Sequence, residues 1–155
     1  MSIPLKVVVN GVAHADSVEA RTSLLTYLRE VRGLLGAKRG CEEGECGSCT
    51  VLLDGQPVAA CLIFAVEVEG SEIVTVEGLG RAENLSPIQR AIAEAGASQC
   101  GFCIPGVLLG AKALLAEHPR PGEEEIRRAI SGNLCRCTGY DRIVAAIQQA
   151  AEGEK

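Results

Sequence analysis

The chain has 155 residues, a formal net charge of −5 at pH 7 and 47% hydrophobic residues. A net negative chain with no basic stripe is a poor nucleic-acid ligand, because binding depends on clustered Lys and Arg. No apolar run reaches the ~20 residues that span a bilayer, and the first residues read as a strand rather than a secretion signal, which predicts a cytoplasmic protein without membrane insertion.

Two β-hairpins are predicted in the first half of the chain. They centre on Asn10-Gly11 and Asp54-Gly55, dipeptides that supply the positive φ angles of tight hairpin turns. The second hairpin returns the chain toward the cysteine-rich loop that precedes it. It is therefore expected to bring Cys61 close to that loop.

One amphipathic helix is predicted between the hairpins, with Thr22 or Ser23 as its N-cap. Its apolar positions recur at helical spacing and are Leu24, Leu25, Leu28 and Val31. A further strand is expected in residues 72–79. A twisted sheet that covers one helix predicts a ferredoxin-like β-grasp domain for residues 1–80.

The second half changes to the 3.6-residue period of helices. Ser86, Pro87 and Gln89 form a predicted capping box. Four short helices are expected to begin near Pro87, Pro105, Glu123 and Thr138, and the last carries the apolar stripe Ile143, Val144, Ile147 and Ala151. The predicted fold class is α+β, with the β-grasp domain followed by a four-helix bundle domain in residues 81–155.

Eight cysteines stand in two groups of four. The first group, Cys41, Cys46, Cys49 and Cys61, has the C-x4-C-x2-C…C order of plant-type [2Fe-2S] ligation. Gly40, Gly44 and Gly47 lie in the same loop and give its backbone the freedom to wrap around a cluster. This group predicts one iron–sulfur site at the rim of the sheet.

The second group is Cys100, Cys103, Cys135 and Cys137. Cys103 and Cys137 are each predicted to lie just before a helix, so that two helix N-termini would direct amides at an anionic cluster. Phe102 is expected either to shield this cluster or to pack within the bundle. Two complete groups predict two redox sites, and hence an electron relay.

Three other uses of cysteines fit the sequence less well. Disulfides are typical of small secreted chains, but no signal peptide is expected and the apolar content suffices for a core. Structural zinc sites usually pair two C-x2–4-C motifs, which neither group matches. A thioredoxin-like pair at Cys100 and Cys103 would leave Cys135 and Cys137 without a role.

The segments KRGCEEGECGSCTV, QCGFCIPG and NLCRCTGYDRI together resemble the iron–sulfur subunit of the molybdenum hydroxylases, the xanthine oxidase family. The resemblance covers nearly the whole chain. It implies a β-grasp domain with a distal [2Fe-2S] cluster and a helical domain with a proximal one. It also implies a large partner subunit with molybdopterin, as the cytosine dinucleotide, an FAD subunit, and a dimer of heterotrimers.

Carried onto this sequence, the resemblance makes Cys41, Cys46, Cys49 and Cys61 the ligands of the distal cluster. It makes Cys100, Cys103, Cys135 and Cys137 the ligands of the proximal cluster. Gln99 matches the glutamine that hydrogen-bonds the pterin, a role that suits an amide because it donates and accepts. Ile104 departs from the family pattern, which has Thr there, although ligation is expected to survive.

The predicted function is electron transfer from molybdopterin on a partner chain, through both clusters, to a flavin subunit. No catalytic residue is expected on this chain. The alternatives are a free-standing two-cluster carrier or redox sensor and, more distantly, a zinc-bound interaction module. Glu45 is predicted to lie on the flavin side, and His14 and His118 to be loop or surface residues without function.

Overall fold

The computed structural model describes residues 2–153. Residues 1, 154 and 155, which belong to the predicted domains, lie outside the described residues. The strands are β1 (Ser2–Val9), β2 (Val12–Glu19), β3 (Thr50–Leu53), β4 (Gln56–Ala59) and β5 (Glu72–Val74). The helices are α1 (Leu24–Thr26), α2 (Pro87–Glu94), α3 (Ile104–Glu117), α4 (Glu123–Ala129) and α5 (Asp141–Gly153).

The five strands form one mixed sheet with the order β2-β1-β5-β3-β4. Both predicted hairpins are confirmed, since β1 pairs antiparallel with β2 and β3 pairs antiparallel with β4. Asn10 and Asp54 have φ angles of 51° and 49°, as a type I′ turn requires. The last strand is shorter than predicted, because Val76–Gly78 turns into a 3-10 helix.

The predicted first helix is present, but most of it is π-helical. Ser23 caps it, since the Oγ atom accepts a hydrogen bond from the Thr26 N–H. After α1 the segment Tyr27–Val31 continues with the wider π-helical spacing, and the Arg32 N–H bonds the Tyr27 carbonyl at 3.1 Å. This changed spacing turns Val31 away from the core, so its predicted place on the buried stripe is wrong.

A polar network ties this helix to the sheet. The Tyr27 side chain is fully buried, and its hydroxyl donates to Asp16 Oδ2 at 2.7 Å. Arg32 donates to the same carboxylate at 2.9 Å and lies 2.8 Å from His14 Nδ1. Burial, and next the hydrogen bond to Asp16, raise the pKa of Tyr27. His14 lies within β2 and is half-buried, so it is not the loop residue that the sequence suggested.

The second half contains the four helices α2 to α5 around one apolar core. Ile126, Ile143 and Ile147 are fully buried within it. The capping box is confirmed, because Gln89 Oε1 accepts from the Ser86 N–H at 2.9 Å. One helix start is wrong: α5 begins at Asp141 and not at Thr138.

A smaller apolar contact joins the two halves. Leu52 in β3 packs against Leu109 and Ala113 in α3. The sheet and the helical unit therefore share a side-by-side interface. Within residues 2–153, no helix combines the length and the apolar character needed to cross a bilayer.

We predict that Tyr27→Phe lowers the free energy of unfolding by about 1–3 kcal/mol, because the hydroxyl bonds a partly buried carboxylate. The measurement is urea unfolding followed by circular dichroism. In an Asp16→Ala background the same substitution should cost much less. Equal costs in both backgrounds would contradict the assigned hydrogen bond.

Candidate metal centres

The first three cysteines of the first group lie in the loop between the π-helical segment and β3. Gly44 and Gly47 adopt φ angles of 81° and 68°, which residues with a side chain rarely adopt. A Cβ atom at Gly40 would lie 2.8 Å from Cys46 Sγ, so this position also requires glycine. The three glycines thus allow the loop to fold tightly around its own thiols.

The thiols of the first group influence one another. The side chain of Cys46 acts on the pKa of Cys41 and that of Cys61 on the pKa of Cys49, and the charge of Cys46 also acts on Cys49. Cys61 follows β4, so the second hairpin brings it to the loop as predicted. All four predicted residues are brought together.

The pKa values of these thiols differ because their surroundings differ. Backbone N–H groups of Glu43 and Cys46 donate to Cys41 Sγ at 3.4 Å each and lower the pKa of Cys41 to about 7. Burial raises the pKa of Cys49 to about 11. The thiolate is the form that binds a metal, so each thiol must lose its proton on binding. Cys41 loses its proton more easily than Cys49 does.

The second group lies where α3 begins and where the chain leaves α4. Cys103 is the residue directly before α3, so the predicted position at a helix N-terminus is confirmed for it. Cys137 is different, because three residues separate it from α5. The helix-dipole argument therefore applies to Cys103 and fails for Cys137.

The thiols of the second group also influence one another. Among the thiols, the side chain of Cys135 acts most strongly on the pKa of Cys103 and that of Cys100 on the pKa of Cys137, with weaker effects of Cys100 on Cys103 and of Cys135 on Cys137. Cys103 and Cys135 are the more buried, and Cys100 and Cys137 are exposed. Burial raises the pKa of Cys103 to about 12. For Cys135, burial opposes ionisation, but hydrogen bonds from Thr138 outweigh it and lower the pKa to about 7.

Tyr140 holds the segment that carries Cys135. Its hydroxyl accepts from the Cys135 N–H at 2.7 Å and donates to the Asn133 carbonyl at 3.0 Å. Tyr140 has a φ angle of 73°, an unusual conformation for a bulky residue. The sequence alone did not single out this residue, although it lies within the NLCRCTGYDRI motif.

The donors of each group are four thiols. Within residues 2–153, no group of three or more His, Cys, Asp or Glu side chains is placed to hold one metal ion. A [2Fe-2S] cluster takes four thiolates, two on each iron, and each group has that number of thiols.

The remaining predicted residues lie around these groups. Gln99 is exposed, and its Nε2 donates to the Cys137 carbonyl at 3.2 Å. Phe102 is 44% exposed and lies against Gly40 of the first loop, outside the helical core, so the expectation that it packs within the bundle is wrong. Ile104 packs on the edge of that core.

Glu45 and His118 are both on the surface. Glu45 lies within the first cysteine loop, between Cys41 and Cys49. His118 ends α3, where its N–H bonds the Leu114 carbonyl. Its predicted surface position is confirmed.

Two family models match the chain. The model for a 2Fe-2S iron–sulfur cluster binding domain matches residues 7–78, and the model for a [2Fe-2S] binding domain matches residues 75–148. Between them they cover both cysteine groups.

The chain is also similar to individual proteins over almost its full length. It is 48% identical to the nicotinate dehydrogenase small FeS subunit of Eubacterium barkeri, over 97% of this chain and 96% of that one. It is 45% identical to the xanthine dehydrogenase iron-sulfur-binding subunit of Escherichia coli O157:H7, over 94% and 92%. A chain of quinoline 2-oxidoreductase from Pseudomonas putida 86 superposes with a TM-score of 0.94 at 48% identity, covering 97% and 94%.

We predict that Gly47→Ala destabilises the chain more than Gly11→Ala. Both glycines have left-handed φ angles, which cost a residue with a side chain about 1–2 kcal/mol. A Cβ at Gly47 would also collide with the Gly132 carbonyl, whereas nothing lies within 4 Å at Gly11. The collision should add about 1–3 kcal/mol in urea unfolding. Equal losses for the two variants would show that the close approach is not present.

Proposed function

Since the chain belongs to the iron–sulfur subunits of the molybdenum hydroxylases, the xanthine oxidase family, we propose how its two cysteine groups serve that enzyme. The chain is an electron-transfer subunit of an oxidoreductase, and its partner carries the molybdenum cofactor. The observation that carries the proposal is that the eight cysteines fall in two groups of four, one in each of the two segments that the [2Fe-2S] domain models match.

We assign one [2Fe-2S] cluster to each group. Cys41 and Cys46 would bind one iron of the distal cluster, and Cys49 and Cys61 the other. In the proximal cluster the pairs would be Cys100 with Cys137 and Cys103 with Cys135. When bound, each cluster supplies a site that accepts and gives up one electron at a time.

The chain's own residues prepare these sites. Backbone N–H groups donate to Cys41 Sγ, and the Thr138 N–H donates to Cys135 Sγ. Such hydrogen bonds stabilise negative charge on sulfur and are one means by which a protein tunes cluster potentials. The burial of Cys49 and Cys103 keeps water from one side of each site.

The domain division supports the same assignment. We place the boundary near residue 80, with a β-grasp domain in residues 1–80 and a four-helix bundle domain in residues 81–155. Two separate apolar cores support this division. Each domain then contains one complete cysteine group.

The exposed side of the second cysteine group is a candidate surface for binding the partner subunit. Cys100, Cys137 and Gln99 are all exposed, and the Gln99 amide is already oriented by its bond to the Cys137 carbonyl. We propose that the molybdenum subunit covers this surface and that Gln99 hydrogen-bonds molybdopterin, in its cytosine dinucleotide form. The proximal cluster is then the one beside molybdenum.

The rest of the assembly follows the same order. We propose that the first group faces an FAD subunit and that electrons leave through it. The complex would be a dimer of heterotrimers in the cytoplasm. The exposed position of Glu45 in the first cysteine loop supports contact with a second partner there.

We predict that the chain binds four irons and four acid-labile sulfides, and that the two sites are separable. Cys46→Ser should abolish one paramagnetic signal of the dithionite-reduced protein, and Cys103→Ser the other, because each ligand serves one group only. Electron paramagnetic resonance and metal analysis measure this. Stoichiometric zinc, or loss of both signals from one folded variant, would contradict the assignment.

We predict that the chain copurifies with a larger molybdenum-containing subunit.

We also predict that Gln99→Ala slows reduction of the proximal cluster by substrate. Loss of a buried hydrogen bond costs about 1–3 kcal/mol, which corresponds to a roughly 5- to 160-fold change in rate. Stopped-flow absorbance with iron analysis measures it, and Glu45→Gln is the control for the other cluster.

A native mass equal to the chain alone would favour a free electron carrier. An unchanged rate for Gln99→Ala, with a slowed rate for Glu45→Gln, would reverse the proposed order of the clusters.

A further inference from the structure

A buried asparagine connects the two cysteine groups. The Asn133 residue is 5% exposed, and its Nδ2 atom donates to the Gly47 carbonyl at 3.0 Å and lies 3.1 Å from Thr50 Oγ1. Gly47 lies between Cys46 and Cys49 of the first group. Asn133 lies two residues before Cys135 of the second. One side chain thus bridges the two ligand-bearing segments.

The Gly47 carbonyl, which accepts from Asn133, also accepts two further hydrogen bonds. The Thr50 N–H and the Thr50 hydroxyl donate to the same Gly47 oxygen, at 3.1 Å and 2.7 Å. Next to it, the Leu134 N–H donates to the Cys46 carbonyl at 2.9 Å. Cys46 and Leu134 are therefore joined by one backbone hydrogen bond, and Leu134 is bonded covalently to Cys135.

Close packing around Asn133 leaves it little freedom. A Cβ at Gly106 in α3 would collide with the Gly47 carbonyl, and one at Gly110 would lie 3.2 Å from Asn133 Oδ1. The backbones of the loop and the helix therefore meet where only glycine fits. The asparagine amide lies in the space between them.

An apolar contact between the two halves is of a different kind. Leu52, Leu109 and Ala113 form an apolar contact, and such contacts are non-directional and tolerate small shifts. Hydrogen bonds constrain both distance and angle, and a fully bonded buried polar group tends to specify one arrangement. The apolar contact can hold the halves together, but it does not fix their register.

We propose that Asn133 is a positioning residue that fixes the separation of the two cysteine groups, and hence of the two clusters. The inference rests on the proposed function, because it takes one cluster to be bound by each group. Electron transfer between two sites falls steeply with their separation. A side chain that fixes this separation therefore sets the rate of the relay without binding either cluster.

The test is Asn133→Ala in the native complex, fully reduced with dithionite. Magnetic interaction between the two reduced clusters depends on their distance, so we expect the resolved spin–spin splitting to be lost while the four irons and the signal of each cluster remain. Hydrogen exchange of the Leu134 N–H should be about tenfold faster or more, because the hydrogen-bonded loop loses its clamp.

Ser131→Ala is the matched control. Ser131 lies in the same turn, is exposed, and donates only to the Arg128 carbonyl within its own segment. It should leave both the splitting and the exchange rate at their wild-type values. A merely structural effect of altering this turn would appear in both variants.

Gly110→Ala keeps the test decisive if Asn133→Ala loses its clusters. Alanine favours the helix more than glycine does, but the new methyl group presses on Asn133 Oδ1. A stable chain with a shifted splitting supports the proposal. If the folded variants kept the wild-type spin–spin splitting and the wild-type exchange rate of the Leu134 N–H, the proposal would be overturned. A wild-type protein without iron would overturn the proposed function, and the exchange rate alone would then decide the role of Asn133.

Discussion

The structure depends on one close approach, in which the backbone of the first cysteine loop lies against the turn that precedes Cys135. The approach is possible because Gly47 and Gly106 have no side chain, since a Cβ on either would collide with a carbonyl oxygen across the gap. Hydrogen bonds from Asn133 and Leu134 then hold the two segments. Two ligand groups distant in sequence become neighbours in space.

The thiols of the two groups differ in their exposure to solvent. Cys49 and Cys103 are buried, and burial raises the pKa of both. Cys100 and Cys137 are exposed at the far side of the second group. Metal binding must therefore draw protons from the inner thiols, which couples assembly of the centres to completion of the fold.

Much of the fold could be predicted from local signals. Asn10-Gly11 and Asp54-Gly55 demand tight turns, and Ser86 with Pro87 marks a helix start, because these residues act through their own backbone. The start of α5 was mispredicted at Thr138. That hydroxyl bonds Cys135 Sγ and accepts from the Tyr140 N–H. Gly139 and Tyr140 also have left-handed φ angles, so the helix cannot begin before Asp141.

The division of the cysteines into two groups follows from their spacing, whereas the side chains and hydrogen bonds that support each group do not. Cysteine spacing identifies the members of each group, but which thiols face each other depends on how Cys61 and Cys137 return to their sites. Asn133 shows the same limit: as a residue after a helix it is an ordinary helix terminator, and only the approach of Gly47 gives its amide a partner. A buried amide costs stability unless it is bonded, so the same contact that joins the cysteine groups also accounts for a polar residue at this position.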